Sequence, residues 1–217
     1  MNEMELTLRE ELFPHWVVYA LLLTITVLSI LKNQKEVVFA NMKSAFFKPP
    51  STQQEAKENL SFSSLTNWVM LTNYFLVSGI AVYMLLIYFD RTDYWMVVLP
   101  GAAYLFQLFS FYFICILSGE FNKIKDNIFL LNFIAHISGI VVIPVLVIWL
   151  LNPNFSEYMV FTMVAVVILF YLIRLVRGML LAIRNKVLWY YIILYLCALE
   201  IWPIVLGYLL LTPHSIG

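Results

Sequence analysis

An all-α, polytopic membrane protein is what this sequence predicts, on three observations. Of its 217 residues, 63% are hydrophobic and only 12% charged, against roughly 45–50% and about 25% in soluble domains. The apolar residues collect into six stretches of the length, about 20 residues, that crosses ~30 Å of hydrocarbon as a helix. Runs such as 128–151 are almost continuously apolar, without the apolar–polar alternation of a membrane β-barrel strand. The composition excludes a water-soluble globule and a disordered chain. The balance of 13 basic against 13 acidic groups excludes a basic nucleic-acid binder, so no nucleic-acid partner is expected.

The expected architecture is one transmembrane domain over 1–217, a bundle of six helices plus a cytoplasmic amphipathic helix. The first span covers about 12–31. It is preceded by Glu3, Glu5, Glu10 and Glu11, and no small-residue cleavage pattern follows Leu31, so it reads as a retained span rather than a signal peptide. The loop 32–64 begins with a helical pattern in which Val38, Phe39, Met42, Ala45 and Phe46 share an arc, while Glu36, Asn41, Lys43 and Ser44 lie elsewhere. Such a helix would lie in the interface with Lys35 and Lys43 toward anionic head groups. A protein-docking surface would use the same residues, and a plain solvated linker is the simpler alternative. Pro49-Pro50 ends the helix, and Thr52-Gln53-Gln54-Glu55 fits a capping box for a second short one.

The remaining spans run over about 65–89, 94–117, 127–151, 158–183 and 188–211. Their short connections predict antiparallel neighbours. Pro100, Pro144 and Pro203 interrupt the third, fourth and sixth, but their surroundings do not match between the halves, as the broken helices of an inverted-repeat transporter would. Cys115 and Cys197 both fall within spans, where they read as small polarizable core residues rather than a disulfide framework.

Orientation follows from Lys and Arg, which are in excess in cytoplasmic loops. With six spans, Arg9 and Arg91 share one side with both termini, and the other eleven basic residues lie on the opposite side. Both termini are therefore expected outside, in the periplasm, and 32–64 inside. Seven of the 13 acids lie on the outer side and five on the inner; Glu200 belongs to neither surface.

Ionisable groups within spans are costly and mark functional-site candidates. At about 1.5 Å per residue from the cytoplasmic span ends, Glu200 lies ~18 Å deep, Arg174 and His136 ~13 Å, and Arg177 ~9 Å. Asn73, Gln107 and Asn132 fall in the same layer. Asn132, His136 and Gly139 share a helical face, as do Tyr104, Gln107 and Ser110. Two readings stand side by side. In one the layer binds a substrate, ion or proton. In the other Arg174 and Glu200 form a structural bridge and His136 is a satisfied buried histidine.

No catalytic residues and no metal site are expected, since the sequence lacks a His-Glu-x-x-His group, a Gly-x-Ser-x-Gly elbow, a phosphate-binding Gly-rich loop and an Asp-rich cluster. No cofactor is expected either. A bis-histidine haem would have only His15 and His214, at the outer edge, to use.

At Arg174-Leu175-Val176-Arg177-Gly178, followed by Tyr195-Leu196-Cys197-Ala198-Leu199-Glu200-Ile201-Trp202-Pro203, the sequence resembles a family of bacterial inner-membrane proteins catalogued as a domain of unknown function. The resemblance covers most of the chain and rests on the last two spans. It implies a bacterial envelope location and a role for Arg174, Arg177 and Glu200; it carries no activity. The leading expectation is a non-enzymatic subunit or assembly factor of an envelope complex, with the lipid bilayer and a membrane protein or second copy as partners. The alternatives are a small proton-coupled carrier using Glu200, Arg174 and Arg177, and a lipid-modifying enzyme with arginines on phosphate and Glu200 as base.

Overall fold

The computed structural model describes residues 13–34, 39, 65–118 and 121–184. Among these residues the chain is helical with no strand, and five helices are long and apolar enough to cross a membrane. They are α1 (His15–Gln34), α2 (Leu65–Tyr88), α3 (Leu99–Ser118), α4 (Phe121–Leu151) and α5 (Ser156–Arg184). The expected sixth span, 188–211, lies outside the described residues.

Local chemistry accounts for the helix ends. Pro14 precedes α1 and accepts the Val17 N–H through its carbonyl, as a residue at a helix start does. At the end of α2, Arg91 N–H bonds the Leu86 carbonyl and Asp90 N–H that of Ile87, with Asp90 at φ 53°. This pair of bonds around a left-handed residue is the Schellman closure, which satisfies carbonyls the helix leaves unpaired. A 3₁₀ turn, Tyr94–Val98, leads into α3. Pro100 is therefore in the first turn of α3, where its missing N–H costs nothing, and does not interrupt that helix. Pro144 does lie inside α4, leaving the Ile140 carbonyl without its usual helical donor. A second 3₁₀ turn, Pro153–Phe155, starts α5, with Glu157 in the first turn favourably placed against the helix dipole.

α4 begins at Phe121, earlier than the expected 127, and α1 continues to Gln34 rather than Leu31. Hydropathy marks where a helix leaves hydrocarbon, not where its hydrogen bonding ends. Residues 121–126, four of the six polar, and the polar residues 32–34 extend the helices beyond that level.

α4 is the central helix, packed against α1, α2, α3 and α5. Toward the end that carries Asp90, Arg91 and Glu157, one core gathers Val17 and Leu21 of α1, Met84 of α2, Leu146 and Trp149 of α4 and Met163 of α5. The Trp149 indole donates to Ser156 Oγ at 3.0 Å, satisfying its only polar atom. Toward the other end α4 presents two sides. Phe129, Phe133 and Ile134 pack with Met70 and Phe170; Ile128, Leu131 and Ala135 pack with Leu71, Tyr104, Phe111 and Cys115. Cys115 is thus a core residue, as expected.

Phe39 is the one described residue of the expected interfacial helix. It is helical and half-buried against the Phe129–Phe133–Phe170 cluster, so this side chain is turned to the bundle rather than to lipid. Val38, Met42, Phe46, Lys35 and Lys43 lie outside the described residues. Aromatic side chains ring the acidic end. Trp16 and Tyr83 rings lie 4.7 Å apart, Tyr83 and Tyr94 6.0 Å, and Trp95 and Tyr158 are exposed, the placement aromatic residues take at a membrane–water interface.

Candidate functional site

Four helices meet at one level of the bundle through polar side chains. α2 and α4 approach closely there because residue 139 is glycine: a Cβ on Gly139 would stand 3.1 Å from the Tyr74 Cα. Tyr74 is thereby held at the centre of the layer. Its ring centroid is 6.3 Å from that of Tyr104 on α3, and its hydroxyl lies within the electrostatic reach of Arg174 on α5.

Two interhelical hydrogen bonds tie this layer together. The Tyr104 hydroxyl donates to Asn132 Oδ1, joining α3 to α4. The Arg174 Nη1 donates to Gln107 Oε1 at 2.6 Å, joining α5 to α3, two helices that otherwise scarcely touch. A charge-assisted bond of that length is among the stronger kinds. Both bonds end on amide oxygens. The second arm of Arg174, Nη2, is buried with no hydrogen-bond partner among the described residues.

The other polar atoms are buried without partners. Asn67 is 0% exposed and neither side-chain atom has a hydrogen-bond partner among the described residues; His136 is 1% exposed and neither ring nitrogen has one. The Asn67 backbone faces the His136 imidazole without completing a bond to it. Asn73 Oδ1 and Arg174 Nη2 are likewise buried and unpartnered among the described residues. In a membrane such groups have neither water nor lipid to turn to, and each costs several kcal/mol.

Of the sequence-predicted cluster, the structure brings Arg174, Gln107 and Asn132 together around Tyr74 and Tyr104, and places His136 one turn along α4 from Asn132. Asn73 is buried on α2 beside Tyr74 in sequence. Arg177 is half-buried on α5, one turn beyond Arg174. Ser110, at i+6 from Tyr104 on the same helix, donates its hydroxyl to the Phe106 carbonyl of that helix. His136 is buried as expected of a core histidine, but it is not satisfied among the described residues. Glu200, and with it the expected Arg174–Glu200 bridge, lies outside the described residues.

Sequence reading missed Tyr74 and Asn67. A signal was available: Asn67, Leu71 and Tyr74 follow the i, i+4, i+7 spacing of one helical face, and all three are turned inward. Among the described residues no group of His, Cys, Asp and Glu side chains is able to hold a metal ion. The unpartnered groups here are a guanidinium arm, amide groups of Asn67 and Asn73 and the His136 imidazole, a mixture of donors and acceptors that suits a polar solute.

A family model described as "Domain of unknown function (DUF4271)" matches residues 17–211. No curated protein and no solved structure matches the chain.

Proposed function

The chain belongs to this family of unknown function, and on that premise we propose that it is a small membrane carrier of the bacterial inner membrane, with its solute site in the polar layer at Arg174, Gln107, Asn132 and His136. One observation carries the reading: buried polar atoms of Asn67, Asn73, His136 and Arg174 without partners among the described residues. An unsatisfied buried polar group costs about 1–3 kcal/mol, whereas an apolar replacement of the same shape is close to neutral. A purely structural layer would gain by losing these atoms; a layer that takes up water or a polar solute needs them.

In this reading Arg174 supplies charge and Gln107 holds its guanidinium in place. Pro144, two turns beyond His136 on α4, supplies a point of flexure, since helix bends concentrate at proline. With six spans, the eleven-to-two division of basic residues supports an orientation with both termini in the periplasm and the layer nearer the cytoplasmic face.

Hydration and access test the proposal without knowledge of the solute. In a Cys115→Ala/Cys197→Ala background, Gln107→Cys and Asn132→Cys are treated with a small membrane-impermeant thiosulfonate in right-side-out and inverted vesicles. A carrier predicts modification from both sides, at rates that differ. No modification from either side sinks it.

A second reading, a non-enzymatic subunit of an envelope complex, is favoured by one feature. α3 turns Phe106, Phe109, Phe113 and Ile116 outward as a contiguous apolar row, although lipid covers such a row equally well. Purification in mild detergent after cross-linking tests it; consistent recovery of the chain alone counts against it.

A further inference from the structure

Arg174 reaches Gln107, and Tyr104 reaches Asn132, in each case onto an amide oxygen. Beside these bonds the Asn67 and Asn73 oxygens are acceptors, and Arg174 Nη2 is the charged donor, each buried and without a partner among the described residues. The four described acids do not belong to this level. Asp90 and Asp93 are in the turn after α2, Glu157 opens α5, and Asp126 precedes Asn132 by six residues of α4, about 9 Å along the helix axis. The Arg174 guanidinium, with one arm fixed, has no counter-charge on its other arm among the described residues, and burying an uncompensated charge is strongly unfavourable. Its planar fork matches two oxygens of a carboxylate or phosphate.

We propose that the layer binds an oxyanion, a carboxylate or phosphate group, with the Arg174 Nη2 arm as its charge partner and Gln107 as the residue that positions that arm. The inference rests on the carrier reading above and names the class of solute. The same chemistry is offered by a soluble anion and by an anionic lipid head group reaching in from the bilayer, and the experiment separates them.

The full chain is placed in phosphatidylcholine nanodiscs, and its unfolding temperature is followed by tryptophan fluorescence at constant ionic strength while inorganic phosphate or acetate is titrated. A saturable rise in Tm is expected with at least one of them, abolished in Arg174→Gln and weakened at least tenfold in Arg174→Lys, with Arg91→Gln unchanged. If the rise appears only on adding phosphatidylglycerol, and Arg174→Gln removes it, the oxyanion is a lipid head group. Should Arg174→Gln fail to fold, Gln107→Met releases the arm and is expected to weaken the response several-fold. The proposal is overturned if no soluble anion and no anionic lipid gives a saturable rise, or if the rise survives Arg174→Gln. It is overturned too if Arg174→Gln and Glu200→Gln lower Tm by the same amount singly and together, which would make Glu200 the partner of the arm. Failure here with thiol labelling from both sides leaves the carrier and removes the solute class. Anion binding with labelling from one side only keeps a binding site and removes the carrier.

Discussion

Tyr104 and His136 sit one turn apart in level and ask opposite things of the fold. Tyr104 satisfies Asn132 across the α3–α4 interface, and interhelical polar bonds of this kind contribute about 0.6–2 kcal/mol. Tyr104→Phe strands the Asn132 oxygen, and the chain is expected to lose about 1–2 kcal/mol in a reversible detergent-unfolding titration. Asn132→Leu added to it should recover part of that loss, because removing both partners leaves no orphan. His136 contributes no bond through either ring nitrogen among the described residues, so His136→Leu should leave stability within about 1 kcal/mol of the parent or raise it in the same titration. A larger loss would mean that the imidazole is bound to something in the folded protein. Asn132, Gln107 and His136 were legible in the sequence as polar residues in apolar runs. What they bond to was not, because a partner on another helix leaves no trace in local spacing.

At the level of helices, the contact between α2 and α4 is decided by the lack of one side chain. In an isolated helix, glycine is about 1 kcal/mol worse than alanine, so Gly139→Ala would be favourable on propensity alone. The new methyl, however, would meet backbone at 3.1 Å, which cannot turn aside as a flexible side chain does. Overpacking of this kind costs about 1–3 kcal/mol, so Gly139→Ala is expected to be net destabilising in thermal unfolding. Gly101→Ala supplies the contrast: its nearest neighbour is Phe75 at 3.8 Å, ordinary contact, and the substitution should be neutral or slightly stabilising. Periodicity reads Gly139 as lying on the Asn132–His136 face, but only the packed pair shows Tyr74 pressed against it. Helix ends were less legible than helix centres. Pro100 looked like an interruption and proved to be a first-turn residue, since a preceding 3₁₀ turn moved the start of α3 to Leu99.

For the whole molecule, the sharpest expectation concerns sidedness. Single cysteines at Thr92 and Asn154, in the turns after α2 and α4, should react with an impermeant maleimide in intact cells of a Cys115→Ala/Cys197→Ala background, while one at Lys32 should react only after permeabilisation. The reverse pattern would invert the chain in the membrane. Composition and apolar run length by themselves determined the all-helical class and five helices long and apolar enough to cross a membrane, with ends that differ from the expected ones by up to six residues. Those properties are sums over local segments, set by what each segment must do in hydrocarbon. Tertiary structure alone decided that α4 is central, that Tyr74 stands in the middle of the polar layer, and that Arg174 holds Gln107 with its other arm unpartnered among the described residues. These depend on which faces of different helices meet, and that is settled by packing and by the pairing of polar atoms across helices distant in sequence.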